Sequence, residues 1–236
     1  MTKRAPKWLL ILGTIGVSVV IFILVSYILG CYSRGFTGQL VDTNNTPLQG
    51  AFVLYVQKTD CFSSGGSVQH AFSAGILETE KEGYFHIPAR FHLHIPVFES
   101  EPMPLVKVAY SPKTHGFVLG SDFHKNYMDS RMNVQKVILP DRSNDLQMRA
   151  WALWTLNEAI TFWMLNEQCG QISPLKASTD VKERFVATML SEYGFLSSNN
   201  FSKKTLLDDE AGFRALGSKI KSFEEELMND NRSKMK

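Results

Sequence analysis

The first thirty residues contain the feature that most constrains this chain. Residues 8–30 read WLLILGTIGVSVVIFILVSYILG and carry no charged side chain. At about 1.5 Å rise per residue, a helix of this length crosses a hydrocarbon core of about 30 Å. Lys3, Arg4 and Lys7 precede the run, and positive charge holds that end of a membrane segment in the cytoplasm. We therefore expect a signal or membrane anchor segment over residues 1–31, with the rest of the chain in the periplasm or outside the cell.

The fate of this segment depends on Cys31. A secretory signal has an apolar region of about 7–15 residues and a small-residue cleavage site, whereas this run is longer and lacks such a site. The stretch Ile28-Leu29-Gly30-Cys31 resembles a bacterial lipobox, in which the cysteine is lipidated and becomes the new N-terminus. The alternative is an uncleaved transmembrane helix that ends at Cys31. Either alternative tethers the protein to a membrane.

The cysteine count bears on the same question. The chain has 3 cysteines, and an oxidising compartment favours pairing, so one of them needs another role. If Cys31 carries lipid, Cys61 and Cys169 remain as a pair. Their loop of about a hundred residues would stabilise the fold by about 4.7 kcal/mol in the chain-entropy account. The alternative is two unpaired cysteines that are buried as small apolar side chains.

Composition narrows the class of protein and of partner. The chain has 236 residues, of which 44% are hydrophobic, and this is enough for one large or two small packed domains. The formal net charge is +2, and the basic residues are spread along the chain. Nucleic-acid binding requires a concentrated basic surface that neutralises phosphates. We therefore expect no nucleic-acid partner.

Short alternating runs separated by turn residues occupy residues 35–140. The runs are FTGQLVD, AFVLYVQK, AFSAGILETE, YFHIP, FHLHI, LVKVAYSP, HGFVLG and VQKVILP. About seven or eight strands within about a hundred residues, with turns between them, are typical of a β-sandwich. We expect an antiparallel β-sandwich domain here, with an exposed loop over residues 61–67.

Helical periodicity follows Pro140. Residues 143–170 place apolar side chains at three-and-four spacing, although Arg149, Glu158 and Glu167 interrupt the apolar surface. The charges favour a helix that packs on the sandwich over a second membrane span. We therefore expect a helical extension over residues 141–236, so that the whole chain is an α+β protein.

Two further helices are predicted in this extension. One begins at Asp180, which forms a capping-box-like pair with Glu183, and it stops at Gly194. The other covers residues 206–228 and carries an apolar stripe. This stripe either docks on the core of the chain itself or binds a protein partner. The candidate partner-binding residues are Phe213, Leu216, Ile220, Phe223 and Leu227.

Histidines supply the main candidate for chemistry. His92 and His94 alternate along FHLHIP and would share one strand face, with His86 nearby in sequence. They are weak candidates for a metal site, because no HExxH motif or matching carboxylate accompanies them. The sequence also lacks a G-x-S-x-G elbow and a phosphate-binding loop. We expect no catalytic residue, no metal and no cofactor; the alternative is a periplasmic or extracellular hydrolase that uses the three histidines.

Residues 36–88 carry a resemblance to a known family. The stretches GQLVDTNNTPLQGAFV and TEKEGYFHIP resemble the carboxypeptidase regulatory-like domain, which is a transthyretin-like β-sandwich. Glu80 stands where that pattern usually has an aspartate. The matching residues are Gly38, Val41, Asp42, Pro47, Leu48, Gly50, Ala51, Val53, Thr79, Gly83, Phe85, Ile87 and Pro88.

The resemblance implies a structural motif and a non-catalytic module. Asp42 would close a turn that Pro47 stiffens, while Gly50 and Gly83 would take positive φ angles. Val53, Phe85 and Ile87 would fill the core. Hydroxyisourate hydrolases share the transthyretin-like fold, but their C-terminal YRGS motif is absent from this sequence. We expect an envelope-anchored, non-catalytic binding or assembly protein, which is exposed outside the cytoplasm and has a possible protein partner in an envelope complex.

Overall fold

Nine strands and two long helices form the described part of the molecule. The computed structural model describes residues 17, 18, 20–22, 24, 25, 28, 31–33, 35–63, 66–92, 103–119, 135–168, 178–199, 215–222, 224 and 225. The strands are β1 (Tyr32–Ser33), β2 (Phe36–Val41), β3 (Phe52–Ser63), β4 (Gly66–Glu78), β5 (Tyr84–Ile87), β6 (Arg90–Phe91), β7 (Met103–Tyr110), β8 (Phe117–Leu119) and β9 (Gln135–Ile138). The helices are α1 (Leu146–Gln168) and α2 (Thr179–Ser198), and further helical residues lie within 17–28 and 215–225. The expected α+β composition with antiparallel, sandwich-like sheets is confirmed.

Strand β3 is the centre of the molecule. It pairs antiparallel with β4 on one side and with β7 on the other, in a four-stranded sheet of order β4-β3-β7-β8. Residues 52–59 are all buried. A strand that is buried on both faces reads as a continuous apolar run, which explains the sequence AFVLYVQK.

The second sheet has the order β5-β2-β9 and differs in one respect from the expected sandwich. Strands β2 and β5 are antiparallel, with Phe36 opposite Ile87, but β2 and β9 are parallel, with Leu40 opposite Val137. Parallel strands require a long connection between them, and here that connection contains the whole four-stranded sheet. The pairing of β9 is therefore a property of the tertiary fold, which the alternating sequence of β9 does not encode.

One apolar core lies between the two sheets. Val53 and Tyr55 of β3 contribute to it from one side, and Phe85 and Ile87 of β5 contribute from the other. The expected core positions Val53, Phe85 and Ile87 are thus confirmed as buried. The remaining members are Phe36, Leu40, Leu48, Ala51, Val106, Ala109, Val137 and Leu139.

A second core lies on the other face of the four-stranded sheet. Phe52, Leu54 and Val56 of β3 pack there against α1 and α2. Leu216 and Ile220 are buried in the same cluster. Gly217 packs closely against the Tyr193 ring of α2, and a Cβ added at Gly217 would clash with that ring. Sandwich and helices therefore form three layers with the four-stranded sheet in the middle.

The predicted turn motif has the expected local geometry. Asp42 accepts hydrogen bonds through Oδ1 from the backbone N–H groups of Asn44 and Thr46, at 2.8 Å each. Gly50 has φ +72 and Gly83 has φ +74, a region in which glycine is favoured. These predicted roles are confirmed.

Two boundaries differ from the prediction. The predicted loop over residues 61–67 is wrong at its described positions, because β3 continues to Ser63 and pairs with β4 from Gly66 onward. Helix α2 begins after Ser178, whose side chain caps it by accepting from the Val181 N–H, and it runs through Gly194. A glycine inside a helix costs about 1 kcal/mol, which burial of neighbouring apolar residues offsets.

The predicted membrane segment falls largely outside the described residues. Within the described positions, no helix has both the length and the apolar character needed to cross a membrane. The described positions between 17 and 28 are helical.

Candidate functional site

The junction between the N-terminal helical residues and the sandwich is fixed by backbone hydrogen bonds. The Cys31 N–H donates to the Ile28 carbonyl at 3.2 Å, and the Cys31 carbonyl accepts from the His92 N–H at 2.8 Å. The next two residues form β1, in which Tyr32 lies opposite Phe91 and Ser33 opposite Arg90 of β6. Cys31 itself is 0% exposed. The backbone of Ile28 is therefore hydrogen-bonded to the residue that begins the described part of the fold.

A buried glutamine attaches this junction to the central sheet. The Gln57 Nε2 donates to the Pro88 carbonyl at 2.8 Å and to Ser33 Oγ at 3.3 Å. Gln57 and Ser33 are both buried. Because Gln57 belongs to β3, the end of the helix is tied to the strand that both cores share.

The helical residues before the junction present an apolar surface. The large side chains described there are about half exposed or more. Exposed apolar residues that cluster in one helical segment are typical of an interaction site. The exposed residues are Val17, Val20, Ile21, Phe22, Leu24, Val25 and Ile28.

A second polar arrangement joins the two helices to the sandwich. Arg149 of α1 donates from Nε to Glu192 Oε1 at 2.6 Å and from Nη2 to Glu192 Oε2 at 2.8 Å. Its Nη1 also donates to the Ser143 carbonyl at 3.0 Å. The guanidinium lies over the Phe195 ring, 4.1 Å from its centroid. Arg149 and Glu192 are buried, so the pair has the bidentate geometry in which burial of two charges is tolerated.

His115 connects this pair to the turn between β7 and β8. Its Nδ1 lies 3.3 Å from Glu192 Oε2 and 3.3 Å from the Tyr110 hydroxyl. Burial lowers the pKa of His115 below its ordinary value, and the Arg149 charge acts in the same direction, whereas Glu192 and Asp141 oppose it. We name Tyr110, His115, Arg149 and Glu192 the helix-docking cluster.

The electrostatics of the helix-docking cluster favour a structural role. The hydrogen bonds that Arg149 donates to Glu192 raise the pKa of Arg149, so this guanidinium stays charged. Burial raises the pKa of Tyr110, so the phenol stays neutral. Glu192 accepts from Arg149 with both oxygens, and this occupies the carboxylate that a general base would need. The arrangement holds α1 and α2 on the sandwich.

One feature of the sequence indicates the helix-docking cluster. Arg149 lies on the apolar side of a mainly apolar helix, and a buried charge at such a position requires a partner. The partner is far along the chain, in α2, and no spacing rule connects the two positions. Only the packing of the helices brings Arg149 and Glu192 together.

The described members of the predicted histidine cluster, His86 and His92, contact different residues. His86 is exposed, and its Nδ1 lies 2.9 Å from Thr37 Oγ1. His92 stacks on Phe72, with ring centroids 4.2 Å apart and an interplanar angle of 8°. His94 lies outside the described residues. In the part of the chain that the structure describes, no group of three potential metal ligands is found.

The other predicted site residues are only partly described. The backbone of Cys61 lies in β3 opposite Val68, but its side chain and the whole of Cys169 lie outside the described residues. Leu216 and Ile220 are buried against the helices, as docking on the chain's own core predicts. Phe213, Phe223 and Leu227 lie outside the described residues.

Comparisons of the chain with protein-family models, with curated proteins and with solved structures find no match.

Proposed function

We propose that this protein is a non-catalytic binding or assembly protein, held at a membrane by its N-terminal helix with the folded domain outside the cytoplasm. The observation that carries the proposal is the exposure of the apolar side chains described between residues 17 and 28, together with the hydrogen bond from the Cys31 N–H to the Ile28 carbonyl. Apolar side chains in water are unfavourable by about 25 cal/mol per Å². A hydrocarbon environment removes this cost, and the basic residues before the run set the orientation.

The state of Cys31 favours a retained helix over lipidation. Lipidation would attach a diacylglyceryl group to the Cys31 sulfur and cut the chain before Cys31. Cys31 is 0% exposed, and its N–H is bonded to Ile28 on the other side of that cut. A lipidated Cys31 would have to leave this position, whereas an uncleaved helix keeps it. We therefore propose a transmembrane anchor.

The folded domain supports a binding or assembly role of the carboxypeptidase regulatory-like type. The residues that carry the resemblance make turns and fill the core between the sheets, as that motif requires. Thr79 is an example, because its Oγ1 accepts from the Ala51 N–H at 2.9 Å and donates to the Leu48 carbonyl. Such a framework leaves its outer surfaces for a protein partner in an envelope complex.

Membrane fractionation of the full chain tests the tether. The protein is expected in the membrane fraction, resistant to carbonate extraction and released by detergent. Phe22→Arg should weaken membrane retention, because a central arginine costs about 2.5–3.5 kcal/mol in a membrane helix. Ile138→Arg is the matched control, since Ile138 is also exposed but lies in β9. Release of the unaltered protein by carbonate would contradict the tether.

Native electrophoresis of detergent-extracted membranes tests the assembly role. We expect the protein to migrate in a complex that contains a second polypeptide, and crosslinking before extraction should join the two. Migration as a lone chain of 26.7 kDa plus detergent, with and without crosslinker, would contradict assembly.

A further inference from the structure

A group of buried polar side chains lies between the central sheet and the strand pair β1–β6. Gln57 of β3 is 0% exposed, and Ser73 of β4, which lies directly opposite it, is 2% exposed. Ser33 of β1 and Arg90 of β6 also lie opposite each other. The Gln57 Nε2 lies 3.3 Å from Ser33 Oγ, so the two pairs of residues face each other across one space.

Strand alternation places this space on the sandwich side of the central sheet. Val56 packs against the helices, whereas Tyr55 belongs to the core between the two sheets. Gln57 follows Val56, so its side chain points to the same side as Tyr55. Burial raises the pKa of Tyr55 and the charge of Arg90 lowers it, which places the guanidinium near the same space.

The orientation of the Gln57 amide follows from one of its partners. The Pro88 carbonyl can only accept a hydrogen bond, and Nε2 donates to it at 2.8 Å. The other end of the amide, Oε1, is buried and has no hydrogen-bond partner among the described residues. A buried acceptor in this state is unfavourable.

Two more buried atoms of the group are in the same state. Ser73 Oγ and Arg90 Nε have no hydrogen-bond partner in the part of the chain that the structure describes. Their chemistry is complementary to that of Gln57, because Oε1 only accepts, Nε–H only donates and a hydroxyl does either. A molecule that both donates and accepts therefore satisfies all three atoms. An anion without a proton cannot donate to Oε1, and a metal cation cannot accept from Nε–H.

We infer that Gln57, Ser73 and Arg90 form a binding site for one water molecule. The water accepts from Arg90 Nε and donates to Gln57 Oε1 and Ser73 Oγ. Buried waters typically make about three hydrogen bonds to polar groups that otherwise lack a partner. The water joins the β1–β6 strand pair to β3 and β4, beside the direct bond between Gln57 and Ser33. This inference is independent of the proposed membrane tether.

A crystal structure of the detergent-solubilised full chain, at a resolution that shows ordered water, tests the site directly. We expect one density peak at hydrogen-bond distance, about 2.7–3.2 Å, from Gln57 Oε1, Ser73 Oγ and Arg90 Nε. Crystals grown in sodium bromide distinguish an anion, because bromide scatters anomalously. An anomalous peak at the site, density for a larger molecule, or direct bonds from the three atoms to protein groups would overturn the inference.

The sign of one substitution gives an independent test in solution. If the Ser73 hydroxyl binds the water, Ser73→Ala loses a hydrogen bond, and the urea midpoint of the full chain in detergent should fall. If the hydroxyl has no partner, the same substitution removes an unsatisfied buried group. A midpoint that stays unchanged or rises would therefore overturn the water site.

A double-mutant cycle tests whether Ser73 and Arg90 share the water. They have no hydrogen bond to each other through Ser73 Oγ, so the water is the link between them. The effects of Ser73→Ala and Arg90→Met on stability should be non-additive. Arg184→Met is the matched control, since it removes an exposed guanidinium that bonds to Glu78, and its effect should add to that of Ser73→Ala.

Additive effects of Ser73→Ala and Arg90→Met would contradict a shared water. If a variant does not fold, the crystal structure of the unaltered chain decides the question.

Discussion

The buried ion pair of Arg149 and Glu192 joins α1 to α2, so the loss of one partner should destabilise both helices. Glu192→Leu leaves the Arg149 charge buried without its carboxylate, so we expect the free energy of unfolding to fall by about 3–5 kcal/mol. The measurement is urea denaturation of the detergent-solubilised full chain at pH 7. The double variant Arg149→Met, Glu192→Leu removes both charges and should recover most of this loss. A double variant as unstable as Glu192→Leu would show that the charges are not the cause.

Two glycines give opposite predictions for the same substitution. A Cβ at Gly83 would lie 2.4 Å from the Leu40 carbonyl oxygen, and its φ of +74 disfavours a side chain, so Gly83→Ala should lower the free energy of unfolding. The left-handed conformation alone costs about 1–2 kcal/mol. A Cβ at Gly194 meets no atom within 4 Å, so Gly194→Ala should raise the stability by about 1 kcal/mol. Thermal unfolding of the two variants, compared with the parent, checks both signs, and equal shifts would contradict the geometry.

At the scale of elements, the contact of the β7–β8 turn with α2 should respond to pH. The pKa of His115 is lowered from 6.5, so the folded state binds a proton less readily than the unfolded chain does. The contribution of His115 is therefore complete above about pH 6.5 and is lost as the pH falls towards the lowered pKa.

The corresponding test is the melting temperature of the parent and of His115→Asn between pH 7.5 and 5. Asparagine is chosen because it tolerates the φ of +49 at this position. The parent should lose stability with acidification, and His115→Asn should lose less. Identical pH dependence of the two proteins would show that another group is responsible.

The elements also show how far the sequence predicts this fold. Strands β2, β3, β5 and β7 are predicted because their alternation or continuous apolar character is local. The predicted loop over 61–67 is wrong where the structure describes it, at 61–63 and 66–67, because pairing between β3 and β4 overrides the turn preference of the serine and glycine residues there. The predicted stop at Gly194 is wrong for a similar reason, since Leu196 is buried in the core and rewards continuation of the helix.

At the scale of the whole molecule, the C-terminal helical residues belong to the core. Leu216→Ala should lower the free energy of unfolding by about 2–5 kcal/mol, because it leaves a cavity between the helices. Lys219→Ala, at an exposed position in the same helical segment, is the control and should have little effect. Chemical denaturation of both variants is the measurement. An unaltered stability of Leu216→Ala would favour partner binding over docking.

The arrangement of layers is the part that the sequence predicts least. The parallel pairing of β9 with β2 and the meeting of Arg149 with Glu192 both join residues that are distant along the chain. Local periodicity determines which residues are apolar on one face, but it does not determine which faces meet. The proposed tether differs from these features, because the sequence pattern that predicts it is contained in one continuous run of residues, 8–30.

The most direct test of the account is the intact mass of the membrane-extracted protein and of its Cys31→Ser variant. A retained transmembrane helix predicts that both chains keep residues 8–30 and differ only by the substitution. A parent that lacks residues 1–30 and carries a diacylglyceryl group on Cys31, beside an unprocessed Cys31→Ser variant, would contradict the retained helix and establish lipidation instead.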